Sequence, residues 1–190
     1  MHPAHSEYND AAFGNDQQRE AERRRTVRIK RSGLRKYELE DLDRPAIKFA
    51  ESTDEFSQAF SLVYSVYLKK KFITEPKTHQ MLYNVYSLLP QTTHIIAKSY
   101  LTVLSNLTEI FDTPQFGLPM DIIFKPELDE LRNQGRNIVE LGSLATPKDH
   151  RWKNIFLYLV QMMYWYSVYM KVDDVCIAIN PPHERFYRHL

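Results

Sequence analysis

Sixteen consecutive residues, Ile155 to Met170, carry no charged side chain, and this run constrains the chain more than any other feature. A bilayer span needs roughly 20 mostly apolar residues. This run is shorter, and it contains Gln161, Ser167 and four tyrosines. It therefore reads as the central part of a helix, from about Arg151 to Lys171, buried on most sides. Its flanks are strand-like. Asn137 to Thr146 is a strand candidate ended by Pro147, and Val175-Cys176-Ile177-Ala178-Ile179 is a continuous apolar run of the kind found in central strands.

Upstream, Ala46 to Ala50 alternates well enough for a short strand. Ser52 and Glu55 then have the spacing of a capping box, and Phe56, Phe60, Val63, Tyr64, Tyr67 and Leu68 recur on one helical face. The helix ends in Lys69-Lys70-Lys71, which suits the negative pole of its dipole. A second short helix is expected near Met81 to Leu89, stopped by Pro90. Thr92 to Ser99 and Val103 to Phe111 are β-rich, and Thr113 to Met120 is a loop. Pro126 opens a helix that runs to Asn133 and is closed by Gly135; Asn180-Pro181-Pro182 starts another. The order is β-α-α-β-β-(loop, α)-β-α-β-α. It predicts an α/β (α+β) fold, a mixed sheet covered by helices on both faces.

Charge divides the chain in two. Lys and Arg total 25 against 24 Asp and Glu, for a net +1. Between Arg19 and Lys36 there are nine basic and two acidic residues, a net +7, so the remainder carries −6. Residues 1–45 have few large aliphatics and read as a flexible basic leader, with 46–190 as the folded domain. The leader either contacts an acidic partner, RNA or a membrane surface, or is a solvated tail. It contains no apolar segment of a secretory signal. The lone cysteine, Cys176, excludes an internal disulfide and a Cys-cluster zinc site. It reads as a small core residue and fits a reducing, cytoplasmic setting. The histidines show no metal-ligand spacing, so no metal is expected.

Specific residues then carry a resemblance. Gly117-Leu118-Pro119-Met120-Asp121 followed by Glu127-Leu128-Asp129-Glu130-Leu131-Arg132, the strand Val139-Glu140-Leu141-Gly142-Ser143-Leu144-Ala145, and Asn180-Pro181-Pro182-His183-Glu184-Arg185-Phe186-Tyr187 resemble segments of the N-acyl amino acid synthases. Those are GNAT-like acyltransferases related to the acyl-homoserine-lactone autoinducer synthases. The resemblance spans about Ala46 to Leu190. It implies a GNAT-like mixed sheet and transfer of a fatty acyl group from a thioester to the amine of an amino acid. The donor would be an acyl-phosphopantetheine thioester, on acyl carrier protein or coenzyme A, with no permanently bound cofactor.

That reaction makes three demands. The ammonium must lose a proton, the tetrahedral oxyanion needs a donor, and the thiolate needs a proton or a positive field. The resemblance assigns the base to Glu140, a carboxylate placed mid-strand where burial would raise its pKa; the alternative has it facing solvent or pairing with a neighbouring cation. Leu144 and Ala145 would supply backbone contacts to the thioester. Arg151, Lys153, Asn154 and Ile155 would form the phosphate loop at the helix start, where the plain alternative is capping. Asn180 would contact pantetheine, and Tyr187 would protonate the leaving thiolate or serve as a core aromatic. The aromatic side chains of the long helix, Tyr158, Tyr164, Trp165 and Tyr166, read as core rather than acyl tunnel.

The sequence also departs from its relatives. Val63 stands where they carry an arginine, Gly142-Ser143 replaces a Ser-Arg pair, and Lys148 to Ile155 lacks the glycines of a coenzyme A loop. Acyl carrier protein, which presents a single phosphate, is therefore the expected donor and partner. The resemblance also implies two strands after the helix opened by Pro181, so the domain is expected to be C-terminally incomplete. A non-catalytic, truncated remnant that still binds the acyl carrier is the alternative reading.

Overall fold

The computed structural model describes residues 45–74, 78–147, 155–179, 181 and 184–187. It divides into two compact units. One comprises Met1–Pro45 with Ser99–Thr102 and is described only at Pro45 and at those four residues; the other comprises Ala46–Lys98 with Val103–Leu190. The second unit holds the core and the site. Of the proposed leader, residues 1–45, all but Pro45 lie outside the described residues.

Five strands form one sheet in the order β1-β2-β3-β4-β5: β1 Ala46–Phe49, β2 Thr93–Ser99, β3 Thr102–Phe111, β4 Ile138–Ala145 and β5 Asp174–Ile177. The β1/β2 and β3/β4 pairs are antiparallel and β4/β5 is parallel, so the sheet is mixed. The helices are α1 Thr53–Lys69, α2 Asp121–Asn133, α3 Ile155–Tyr169 and the short α4 Glu184–Tyr187.

Alternation along the strands sends successive side chains to opposite faces. Ile95 and Ala97 of β2 pack with Leu107, Ile155, Leu159 and Met163 beneath α3. Ile96, between them, packs with Ala59 of α1. On that second face Val63 and Val66 of α1 meet Ala145, while Leu118 and Leu128 cover Ile110 and Ile138. Helices thus cover both faces, as the element order predicts. Full burial of a leucine such as Leu159 contributes about 2 kcal/mol.

The capping box at α1 is present. Ser52 Oγ accepts from the Glu55 N–H at 3.2 Å, and Glu55 Oε2 accepts from the Ser52 N–H at 3.3 Å, an arrangement worth about 1 kcal/mol. Glu55 is buried, and desolvation pushes its pKa up. The Lys98 ammonium at 2.7 Å, the Glu51 N–H and Lys48 outweigh that and hold it at about 2. The box therefore also ties α1 to β2.

Four expectations need correction. The helix expected near Met81 to Leu89 is a three-residue 3-10 turn, Tyr86–Leu88, because Asn84 Oδ1 takes both the N–H and the hydroxyl of Ser87. Helix α2 begins five residues before Pro126, at Asp121, and bends at Phe124, so Pro126 sits in the first turn after a kink. Helix α3 is not buried on most sides. Ile155, Leu159, Met163 and Ser167 form one buried stripe, whereas Leu157, Tyr158, Tyr164, Trp165, Val168 and Tyr169 are exposed. An uncharged helix lying on a single sheet has only one face to bury. Strand β5 covers Asp174–Ile177 and pairs with β4 alone among the described residues, leaving Val175 and Ile177 partly exposed, so it is not a central strand there. No described helix is long and apolar enough to cross a membrane.

Candidate active site

Two irregularities open the sheet around β4. Asn106 pairs with Ala145 and Thr108 with Gly142, so two steps on β3 match three on β4. The extra residue makes a β-bulge, with Ser143 in the left-handed region at φ 49°. Asn106 holds it, donating from Nδ2 to Ser143 O at 2.9 Å and to Thr108 Oγ1 at 3.2 Å. The chain of bonds continues through the Thr108 hydroxyl to His94 Nδ1, and from Nε2 of His94 to Ser87 O. Burial lowers the pKa of His94, which suits the neutral imidazole this chain requires.

The second irregularity is that the β4/β5 register ends at Leu141 and Ile177. Beyond that pair a cavity of about 210 Å³ lies between the strands. Leu141, Gly142, Ser143 and Leu144 line one side, and Ile177 and Ala178 the other. Phe156, Val160 and Met163 of α3, with Leu107 and Tyr67, complete its mostly apolar wall. Ser143 and Leu144 have no register partner in β3 or β5. A flat, amide-bearing chain slipped between parting strands can take up such backbone groups, and a carbonyl oxygen there meets N–H donors.

Glu140 sits one residue before the opening. It is 7% exposed and turned to the α2 face, where Oε2 accepts from the Met120 N–H at 2.8 Å. Ile110 of β3 and Cys176 of β5 flank it in register. Burial raises its pKa above the ordinary carboxylate value, against the Met120 N–H, and the negative charge of Asp121 adds to the rise. Glu140 does not itself line the cavity; its neighbours Leu141 and Gly142 do.

The remaining expected site residues divide. Leu144 lines the cavity. Ala145 is fully buried, packs against Val63 and Val66, and its carbonyl accepts from Ser105 Oγ. Ile155 is buried in the core under α3. Arg151, Lys153, Asn154 and Asn180 lie outside the described residues, as does the side chain of Tyr187, which ends α4. Cys176 is half-buried, and burial first, then Asp174 and Glu140, push its thiol pKa up, away from a nucleophile's range.

Sequence reasoning missed a second buried carboxylate within the sheet. Glu109 is fully buried in β3 opposite Leu141; Oε1 accepts from Ser167 Oγ at 2.6 Å and Oε2 has no hydrogen-bond partner among the described residues. Burial raises its pKa despite the Ser167 bond. The signal that marks Glu140, a charged residue inside a β-rich run, marks Glu109 equally. Gly142, Ser143 and Met120 were also missed as site residues. Among the described residues no group of three His, Cys, Asp or Glu side chains is arranged to hold a metal.

Comparisons with known proteins place the fold and the family. The family model described as N-acyl amino acid synthase FeeM matches residues 58–190. No curated protein matches by sequence. Among solved structures, FeeM, an N-acyl amino acid synthase from uncultured soil microbes, is similar at 23% identity over 76% of each chain, with a TM-score of 0.64. A predicted acetyltransferase of Clostridium acetobutylicum with acetyl-CoA is similar at 9% identity over 76% of this chain and 88% of its own, TM-score 0.52. An acyl-CoA N-acyltransferase from Pseudomonas aeruginosa is similar at 14% identity over 76% and 82%, also with a TM-score of 0.52. At these identities the structural likeness establishes the fold, that of the GNAT-like acyltransferases.

Proposed function

The chain belongs to the N-acyl amino acid synthase FeeM family and is an acyltransferase, and from that premise we propose that it moves a fatty acyl group from an acyl carrier protein thioester to the amine of an amino acid. The observation that carries this reading is the apolar cavity in the parting of β4 and β5, with a buried carboxylate beside it on β4.

In the proposed reaction the amine nitrogen attacks the thioester carbonyl carbon, the carbon–sulfur bond breaks, and an amide and a free thiol leave. Glu140 takes the proton that the ammonium must lose before its nitrogen can attack, a role favoured by its raised pKa. Its Oε2 is engaged by Met120, and no bond from a described residue engages Oε1. Backbone N–H groups of Ser143 and Leu144 would receive the developing oxyanion. Leu107, Leu141, Leu144, Val160 and Met163 give an acyl chain an apolar bed. Tyr187 is assigned as the acid for the thiolate, Arg151, Lys153, Asn154 and Ile155 as the phosphate loop, Ala145 as a backbone contact to the thioester, and Asn180 as a pantetheine contact. The absence of glycine between Lys148 and Ile155 supports acyl carrier protein over coenzyme A as donor. The reading includes a cytoplasmic location.

The test is direct. The purified chain is incubated with a long-chain acyl carrier protein, or with the matching acyl-CoA, and a mixture of amino acids, and N-acyl products are sought by mass spectrometry. Product from the carrier protein at a rate above that from acyl-CoA supports the reading. No amide product from either donor overturns it.

A further inference from the structure

The Met120 N–H that meets Glu140 belongs to a turn with unusual reinforcement. Asp121 Oδ2 accepts from the Leu118 N–H at 2.7 Å, and the Asp121 N–H returns a bond to Leu118 O at 3.0 Å. Arg132, at the far end of the same kinked helix, donates to both oxygens of Asp121 at 2.7 and 2.8 Å. The same guanidinium donates to both oxygens of Asp112 at 2.6 and 2.9 Å, and to Asp129 at 2.8 Å. Asp112 in turn donates its N–H to Ile138 O, at the start of the strand that carries Glu140. The turn is thereby bolted to the sheet. Arg132 and Asp121 are each only about a fifth exposed, so these charge-assisted bonds are shielded from solvent.

Resting on the assignment of Glu140 as base, we propose that Asp121 and Arg132 are positioning residues for it: their ion pair, anchored through Asp112, fixes the turn so that the Met120 N–H meets Glu140 Oε2. The bond favours the ionised carboxylate and fixes which oxygen remains for the amine. Gly117 shows how little slack the turn has. Its φ is +63°, and a Cβ there would stand 2.3 Å from Asp121 Oδ2. Of the titratable groups around Glu140, α2 contributes Asp121 and β5 contributes Cys176, while β3 presents Ile110. Tyr86 packs into the same cluster.

Two variants break the clamp by different routes. Arg132→Gln removes the bridge and leaves Asp121 unneutralised; Gly117→Ala displaces the Asp121 carboxylate without changing charge. Both effects disfavour the Glu140 anion. The acid limb of the kcat/KM profile should move up by about one pH unit, with KM for the acyl donor changed less than about two-fold. Titration of the Glu140 carboxyl carbon by NMR should show the same shift without relying on turnover. Arg132→Lys should recover part of it, and Arg136→Gln, which breaks the separate pair with Asp174, should leave it unchanged. If Glu140 titrates as in the parent in a folded Gly117→Ala or Arg132→Gln protein, the proposal is overturned. A Glu140→Gln variant that turns over at the parental rate would instead remove the base assignment, and the clamp's catalytic meaning with it.

Discussion

Glu109 and Glu140 are buried on adjacent antiparallel strands with their carboxyl groups on opposite faces of the sheet. Glu109 reaches Ser167 of α3, whereas Glu140 reaches the Met120 N–H at the start of α2. Glu109 lies opposite Leu141, one step from the register position of Glu140. The two acids share a sheet and a raised pKa and differ in what they can touch, which separates their expected behaviour.

Replacing Glu140 with Gln keeps shape and removes basicity. The expected loss in kcat is about 10²- to 10⁴-fold, with KM for the acyl donor nearly unchanged because the cavity wall begins at Leu141. Initial rates of N-acyl product formation at saturating donor check this.

Glu109 gives a stability signature. Its folded pKa lies above the ordinary value of 4.5, so the folded state holds a proton that the unfolded chain releases. Its contribution is therefore greatest below pH 4.5 and declines as pH rises towards the folded-state pKa. Glu109→Gln should flatten that decline in urea midpoints measured from pH 4 upward; a decline unchanged in the variant would contradict the assignment. Glu140 adds to the same trend. Glu55 acts in the opposite sense in a separate window: with a folded pKa of about 2, its stabilisation is lost as pH falls from 4.5 towards 2.

A Cβ added at Gly142 meets no atom of the described residues within 4 Å, because the residue borders the cavity. Gly142→Val should fold with stability within about 0.5 kcal/mol of the parent. It should nevertheless raise KM for long-chain donors by about ten-fold and shift preference to shorter chains. A product profile across acyl lengths reads both effects.

The two sides of α3 should respond very differently. Leu159→Ala, in the buried stripe, is expected to cost about 2–5 kcal/mol. Trp165→Ser and Tyr169→Ser, at 61% and 79% exposed, should stay within about 0.5 kcal/mol in chemical denaturation. A large loss at Trp165 would mean that this face is covered in solution.

The sequence spoke clearly wherever local physics carries a direction. The β-rich run Thr92 to Ser99 and the Ser52–Glu55 spacing lead to the observed strand and helix cap. It was silent where direction is set by packing. An uncharged helix such as α3 does not say which side meets the sheet. The left-handed Ser143 has no marker, since serine is not the residue such a backbone favours. The Met120 bond to Glu140 depends on a turn whose cross-links span Asp112 to Arg132, and no short motif encodes them. Glu109 shows a different limit: a charged residue inside a β-rich run marks both acids alike, and only the family resemblance singles out Glu140.

The parting of β4 and β5 beyond Leu141 and Ile177 has a thermodynamic corollary. Where the ladder stops and β4 runs on past the end of β5, an inserted guest chain can supply β4 with the bonds it forgoes. With acylated carrier as the proposed donor, occupancy would work like a keystone: melting temperature should climb logarithmically with the concentration of that carrier, and heat should unseat the guest before it unravels the strands.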